Sequence, residues 1–256
     1  MEGPSVHGGR HQGRPFFRHE LDDLESDVQA MAVAAQRQFE QAVQALRAKD
    51  PSLYRTVIAG DDEVDDYYMR IERRIVALYA LQSPVVATDL RLLTALVHVN
   101  GHLERVGDMA VNIAKIGESV QRLPRSETVL QRVEEMSQLA LTMLEAAMDA
   151  LGRRDVELCR RLTSMDEPID VLNRGMLQEV LLAAQNRDML AWCVEMHLVS
   201  RQVERVGDHA VDIGEQVAYL VTGEFQEFTD ASHPEVEHPE LSAGSGISGA
   251  EKQPRT

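Results

Sequence analysis

The amino-acid sequence predicts an all-α protein made of two tandem three-helix bundles that are related by an internal repeat. Three observations lead to this prediction. Apolar residues recur at helical spacing over most of the chain, no segment alternates as a strand does, and a twelve-residue stretch recurs one hundred positions later. Short connections between long helices make consecutive helices antiparallel neighbours, as in a bundle.

Six stretches have the period of an amphipathic helix. The clearest follows Pro84, where apolar residues succeed one another in alternating steps of four and three. This apolar seam consists of Leu92, Leu96, Val99, Leu103, Val106, Ala110 and Ile113. Two further seams consist of Met196, Val199, Val203, Val206, Ala210, Ile213, Val217 and Leu220, and of Val129, Val133, Met136, Ala140, Met143, Ala147 and Ala150. Weaker versions cover residues 21–46, 64–78 and 158–172.

Proline and capping residues mark the helix ends. Asp50-Pro51 and Ser83-Pro84 each combine a capping residue with proline at the first helical position. Pro168 falls inside the fifth helix, where its missing N–H predicts a kink or a restart.

The composition of the 256 residues argues against several classes of protein. The chain has 26 basic and 42 acidic side chains, and its formal charge of −16 argues against a general nucleic-acid binder, which needs excess Lys and Arg. Cys159 and Cys193 lack the spacing of a thiolate zinc site. No apolar run approaches the ~18 residues of a membrane span. We therefore expect a cytoplasmic protein that associates with a membrane only through a partner.

The two chain ends differ in composition from the interior. Residues 1–15 are rich in Gly, His and Arg, and residues 223–256 are rich in Glu, Pro, Ser and Gly. Neither end has the spaced apolar residues that a core requires. We therefore predict disordered tails at 1–15 and 223–256, a first three-helix bundle over 16–123 and a second over 124–222.

The repeated stretch contains acidic residues that core packing does not explain. Residues 104–115 read ERVGDMAVNIAK, residues 204–215 read ERVGDHAVDIGE, and eight of the twelve positions are identical. Each copy places a Glu and an Asp one turn apart on one helix face, outside the apolar seam. The central Gly107 and Gly207 would let a neighbouring helix approach closely.

A second acidic pair precedes each copy on the preceding helix. When residues are counted from the intervening turn at a rise of ~1.5 Å each, the two pairs of each half lie at nearly the same height on antiparallel helices. The predicted first quartet is Asp61, Asp65, Glu104 and Asp108, and the predicted second quartet is Asp166, Asp170, Glu204 and Asp208. Asn112 and Asp212, one further turn along, are placed to add an oxygen each.

Carboxylates held close together repel one another unless a positive charge lies among them. One source of that charge is arginine, because Arg105, Arg201 and Arg205 are near enough in sequence to form salt bridges. The other source is a metal ion, and oxygen ligands favour Mg²⁺, Mn²⁺, Ca²⁺ or iron over structural zinc. The sequence alone leaves both alternatives open.

No residue pattern predicts a catalytic centre. The chain has no Gly-rich phosphate loop and no Ser-His-Asp context. A di-iron bundle enzyme needs Glu-x-x-His, but Gly107 and Gly207 occupy the position of the His. His98 and His102 are four residues apart but lack a matched carboxylate, so we interpret them as partly buried polar residues.

These motifs resemble those of the PhoU family of phosphate-specific transport system accessory proteins. The residues that match are Asp89-Leu90-Arg91, LERVGDMAVNIAK from Leu103, VERVGDHAVDIGE from Val203, Tyr219-Leu220 and Thr222-Gly223. The resemblance runs over about residues 16–228 and implies a PhoU-like fold of two tandem three-helix bundles, commonly assembled as a homodimer.

The resemblance implies a regulatory protein and not an enzyme. Proteins similar to it are negative regulators of the phosphate-starvation response, and their partners are the ATPase subunit of a phosphate-import ABC transporter and a sensor histidine kinase. The resemblance thus implies peripheral association with a membrane, through partners. The remaining alternative is a carboxylate-bridged metal-binding or metal-storage helical protein.

The resemblance also implies bound metal clusters on the paired E/D-x-x-x-D motifs. We expect divalent or iron cations there (Mg, Mn, Fe or Zn), none of them required for catalysis. Carried over to this sequence, the ligands would be Asp61, Asp65, Glu104, Asp108, Asn112, Asp166, Asp170, Glu204, Asp208 and Asp212. Asn112 matches the usual Asn after the motif, whereas Asp212 replaces it and would make the second site more anionic.

Overall fold

The structure, a computed structural model, describes residues 14–81 and 86–228, and no strand occurs in them. The helices are α1 (Arg14–Ala48), α2 (Pro51–Ala59), α3 (Asp61–Leu81), α4 (Ala87–Val120), α5 (Glu127–Arg153), α6 (Val156–Leu182) and α7 (Arg187–Thr222), with a 3₁₀ turn at Ala183–Gln185. The six predicted helices correspond to α1, to α2 with α3, and to α4 through α7, which confirms the all-α prediction. None of the described helices is both long enough and apolar enough to cross a bilayer.

Helix contacts divide these residues into two bundles that pack on each other. The first contains α1 to α4 and the second α5 to α7, while α4 packs on α7 and α1 packs on α5 to join them. Every residue of the three predicted apolar seams is buried. Removing this apolar surface from water, at ~25 cal/mol per Å², is the main source of stability for such a bundle.

The second helix differs between the two halves. In the first half it is interrupted at Gly60, between α2 and α3. In the second half α6 continues through Pro168, so no restart occurs there. Proline has no N–H to donate, so α6 lacks one helical hydrogen bond at this position.

Capping side chains begin α2 and α7. Asp50 accepts a hydrogen bond from the N–H of Ser52 and is followed by Pro51, which confirms the predicted helix start. Asn186 caps α7 in the same way. The predicted cap at Ser83-Pro84 lies outside the described residues, and α4 begins at Ala87.

The predicted N-terminal tail is too long by two residues. Arg14 and Pro15 belong to the first turn of α1. Proline is tolerated there because the first N–H groups of a helix have no intrahelical partner. Residues 1–13 and 229–256, the remainder of the two predicted tails, lie outside the described residues.

The start of the predicted C-terminal tail, residues 223–228, lies against α7 instead of projecting from it. The ring of Phe225 stacks on that of Tyr219 with the centroids 3.9 Å apart. The backbone N–H of Phe228 donates to Glu215 at 2.6 Å, and the Phe228 side chain packs against the core. Aromatic contacts and a backbone hydrogen bond thus hold the first residues of this polar segment against α7.

Two glycines of α4 have contrasting surroundings. A Cβ atom at Gly117 would lie 2.5 Å from a ring carbon of Tyr54 and 2.6 Å from a methyl group of Leu46, so α1 and α2 approach the backbone of α4 there. A Cβ atom at Gly101 would meet nothing within 4 Å.

We predict opposite effects of alanine at these two positions. Gly117→Ala should lower the free energy of unfolding by about 1–3 kcal/mol, because the rigid Tyr54 ring must move. Gly101→Ala should raise it by up to about 1 kcal/mol, since alanine favours the helix. Urea denaturation monitored by circular dichroism measures both. Equal effects of the two substitutions would contradict the packing described for Gly117.

Candidate functional site

The first quartet lies on adjacent faces of α3 and α4. Asp61 is the first residue of α3 and Asp65 follows one turn later, while Glu104 and Asp108 lie one turn apart on α4. Burial and the charges of Asp61 and Asp108 raise the pKa of Asp65. Burial and the charges of Asp108 and Asp65 likewise raise the pKa of Glu104. The four carboxyl groups are therefore within electrostatic reach of one another.

No arginine or lysine of the described residues forms an ion pair with the first quartet. The amide of Gln38 donates to Asp61 Oδ1 at 3.2 Å. The arginine one residue before Gln38, Arg37, pairs with Glu63 instead. Among the described residues, therefore, no arginine forms an ion pair with the first quartet. The charge of Arg105 lowers the pKa of Glu104, but burial and the neighbouring carboxylates outweigh it.

The second quartet is partly neutralised by arginine. Arg201 forms an ion pair with Glu204, one turn away on α7. Arg174 Nη1 lies 3.5 Å from Asp170 Oδ2 on α6. Burial and the charge of Glu204 nevertheless raise the pKa of Asp208 to about 6. The two quartets therefore share a sequence motif but differ in electrostatic surroundings.

The glycine of each repeated motif lets a neighbouring helix approach, as predicted. A Cβ atom at Gly207 would lie 2.6 Å from Asp166 Oδ1, so this carboxylate lies directly over the backbone of α7. At Gly107, the corresponding neighbours are Gln38 and Val64 at 3.2 Å. Only in the second half does the motif glycine make room for an acidic side chain.

The quartets do not form a closed set of ligands. Within residues 14–81 and 86–228, the group of His, Cys, Asp or Glu side chains whose ligand atoms all lie within 4.8 Å of one another is His102, His209 and Asp212. Among the described residues, neither quartet has three carboxylate oxygens that all lie within 4.8 Å of one another. A cation at a quartet would therefore draw its side chains together. Asn112 is exposed on α4, and Asp212 contacts histidine rather than the quartet oxygens.

The trio of His102, His209 and Asp212 joins the two bundles. Its His102 comes from α4, and the other two residues come from α7. The two Nδ1 atoms are 3.2 Å apart, and Asp212 Oδ2 lies 3.2 Å from His209 Nδ1 and 3.4 Å from His102 Nδ1. Sequence reasoning missed this trio because the carboxylate that His102 lacks on its own helix comes from the other bundle.

The trio holds a neutral histidine against an ionised carboxylate. Burial lowers the pKa of His102 to about 4, although the charge of Asp212 acts in the opposite direction. Burial alone would raise the pKa of Asp212, but the hydrogen bond of His209 and nearby positive charge, that of Arg105 included, outweigh it and lower that pKa. At neutral pH, His102 therefore presents an uncharged imidazole.

An acidic cleft lies beside the second quartet. Its volume is about 150 Å³, and it is closed on one side by the segment that follows α7. The residues that line it are Thr163, Asp166, Asp208, Val211, Asp212, Glu215, Glu227 and Phe228. Five of these eight side chains are acidic, so the cleft attracts cations.

The raised pKa of Asp208 makes a testable prediction about pH. The pKa of the Asp208 carboxyl rises from 3.8 in the unfolded chain to about 6 in the folded protein, so the folded protein favours the protonated form. The stability that Asp208 contributes is therefore fully present below pH 4 and is lost as the pH rises through 6. Asp208→Asn should remove this decline in chelator-treated protein. Urea denaturation of both proteins at pH 4, 5, 6 and 7 checks it. Parallel stability profiles would contradict the raised pKa of Asp208.

Comparisons with known proteins agree with this architecture. The model of the PhoU domain matches residues 28–117 and 133–217, and each range falls within one of the two bundles. In solved structures, the chain is similar to PhoU from Pseudomonas aeruginosa, with a TM-score of 0.76, 28% identity, and coverage of 81% of this chain and 100% of that one. The phosphate transport system regulatory protein PhoU from Streptococcus pneumoniae also gives a TM-score of 0.76, with 25% identity and coverage of 82% and 99%.

Sequence relatives extend the same similarity. The phosphate-specific transport system accessory protein PhoU homolog 1 of Mycobacterium bovis is 32% identical over 213 residues, which are 82% of this chain and 95% of that protein. The PhoU homolog of Clostridium acetobutylicum is 28% identical over 220 residues, which are 85% and 99% of the two chains. Since the family model and these relatives span both repeats, the chain belongs to the PhoU family.

Proposed function

We propose that this protein is a cytoplasmic regulatory adaptor of phosphate homeostasis and not an enzyme. It is a negative regulator of the phosphate-starvation response that couples a phosphate-import ABC transporter to a sensor histidine kinase. The observation that carries the proposal is the match of both bundles to the PhoU domain, together with relatives that are named phosphate-specific transport system accessory proteins. An accessory role in phosphate transport is the part that these names support most directly.

The arrangement of the acidic groups suits an adaptor. Except for the buried Asp166, the quartet side chains are exposed or partly exposed on long helices, and the packing of α4 on α7 holds the two sets in a fixed relation. We propose the transporter ATPase subunit and the sensor kinase as the partners of these surfaces, and a homodimer as the assembly. Charged surfaces of this kind accelerate association with partners of opposite charge and select among them.

We propose further that the quartets hold metal ions, of Mg, Mn, Fe or Zn. The first quartet suits a hard cation, because its four carboxylates supply oxygen ligands and no arginine of the described residues pairs with them. An ion at the second quartet competes with Arg174 and Arg201. A bound ion would supply positive charge that relieves the repulsion among the carboxylates.

Deletion of the gene tests the regulatory role. In phosphate-rich medium, the deletion strain should express its phosphate-scavenging genes at the level that wild-type cells reach only in starvation, and a plasmid copy should restore repression. A reporter fused to one such promoter measures this. Pull-down from cells in ample phosphate should recover the ATPase subunit or the sensor kinase. Unchanged reporter expression and recovery of neither partner would contradict the proposal.

Two matched double variants test metal binding at the first quartet. In tag-free protein titrated with Mn²⁺, Asp65→Asn/Asp108→Asn should reduce the number of ions bound, as measured by electron paramagnetic resonance. The control variant Asp62→Asn/Asp66→Asn removes the same amount of negative charge, but at exposed positions of α3 next to the quartet. It should bind as many Mn²⁺ ions as the wild type does. Equal binding by both variants would exclude a quartet site. Uptake of many ions per chain would favour the alternative of a metal-storage protein.

A further inference from the structure

The trio of His102, His209 and Asp212 lies where the two bundles meet. Arg91 Nε on α4 donates to the Leu220 carbonyl on α7 at 3.3 Å, and His102 lies beside His209. Residue numbers rise along α4 as they fall along α7, so the two helices run antiparallel. Any ion held by the trio would therefore link the last helix of one bundle to the last helix of the other.

The separations within the trio match those of ligands around one four-coordinate ion. The three distances are 3.2, 3.2 and 3.4 Å. Zinc–nitrogen and zinc–oxygen bonds of about 2.05 Å at tetrahedral angles separate the ligand atoms by about 3.3 Å. Right-angled octahedral geometry with the same bond length would separate them by only about 2.9 Å. The observed distances are closer to the tetrahedral arrangement.

The orientation of the two imidazole rings supports the same geometry. Two imidazoles that bind one ion through nitrogen at tetrahedral angles have ring centroids about 5.2 Å apart, against about 4.5 Å at right angles. The centroids of His102 and His209 are 5.2 Å apart, and the ring planes are inclined by 47°. Both rings therefore direct their Nδ1 atoms toward the place that an ion would occupy.

Hydrogen bonds alone satisfy this trio poorly. The ionised Asp212 carboxylate has no proton to donate. If only one of the two Nδ1 atoms carries a proton, at least two of the three atoms face each other with lone pairs and no hydrogen between them. If both Nδ1 atoms carry a proton and donate to Asp212, the two N–H groups lie side by side across 3.2 Å. One cation between the three atoms attracts all of them at once.

The two repeats differ at all three positions. The residues of the other repeat that correspond to His102, His209 and Asp212 are Gln202, Met109 and Asn112. Two of these replacements remove an imidazole, and the third removes a negative charge. The chain therefore has the complete set of three ligands once, and the other repeat supplies a natural substitution for each of them.

From this geometry we propose that His102 Nδ1, His209 Nδ1 and Asp212 Oδ2 bind one Zn²⁺ ion between the two bundles. The His209 side chain is 9% exposed and the Asp212 side chain 42%, so the site is enclosed by protein on one side and open on the other. Water takes the fourth position at the open side, as in zinc sites that have three protein ligands. Asp212 also lines the cleft beside the second quartet, but neither histidine belongs to a quartet, and the site does not rest on the proposed function.

Cobalt titration tests the site in the full-length, tag-free protein after treatment with a chelator. One equivalent of Co²⁺ should produce the visible absorption bands of a four-coordinate ion, and Zn²⁺ should abolish them by displacement. His102→Gln, His209→Met and Asp212→Asn, each taking the residue of the other repeat, should remove the bands. Calorimetry should show that the affinity of each variant for Zn²⁺ is more than about 100-fold lower than that of the wild type. This loss exceeds the one expected for a residue that only hydrogen-bonds to a metal ligand.

Two control variants separate this site from its surroundings. His98→Gln, one turn before His102 and exposed, should retain the bands, as should Asp65→Asn/Asp108→Asn in the first quartet. Zn²⁺ should raise the melting temperature of the wild type by more than that of His209→Met, whose fold circular dichroism verifies. Absence of the bands in the wild type, or their persistence in His102→Gln and His209→Met, would overturn the proposal.

Discussion

The burial of the apolar seams of α4 and α7 determines where the charged groups of this protein lie. Each seam is buried along its whole length, which fixes the rotation of the helix about its axis. Once that rotation is fixed, Glu104 and Asp108 face α3, and Glu204 and Asp208 face α6. The carboxylates are thus held near one another by packing energy, and their repulsion is a cost that the apolar core offsets.

The two halves have diverged in how they relieve this repulsion. In the second quartet Arg174 and Arg201 supply positive charge from the protein itself. In the first quartet no arginine or lysine of the described residues forms an ion pair. Burial and the neighbouring carboxylates raise the pKa values of Asp65 and Glu104, and the charge of Arg105 offsets this only in part at Glu104. The same sequence motif therefore produces two acidic quartets that differ in how much of their negative charge is paired with arginine. We expect the two quartets to differ in their affinity for cations.

The sequence predicted the features that depend on local spacing. The three seams, the Asp50 cap and the close helix approach at Gly107 and Gly207 all follow from residue type and period. Features that depend on distant parts of the chain were not predictable. One is the contact of His102 with Asp212, which forms between the two bundles. Another is the aromatic contact that holds the residues just after α7, because the polar composition of residues 223–256 as a whole hides its few aromatic side chains. The continuous path of α6 through Pro168 likewise depends on packing that local propensity does not contain.

We propose that a cation bound at the first quartet draws its four acidic side chains together. Anomalous diffraction at the manganese edge, from crystals grown with Mn²⁺, tests it most directly. We expect an anomalous peak between α3 and α4, with oxygens of Asp61, Asp65, Glu104 and Asp108 as ligands. A map without a peak there, in which these four side chains point away from one another into solvent, would contradict it.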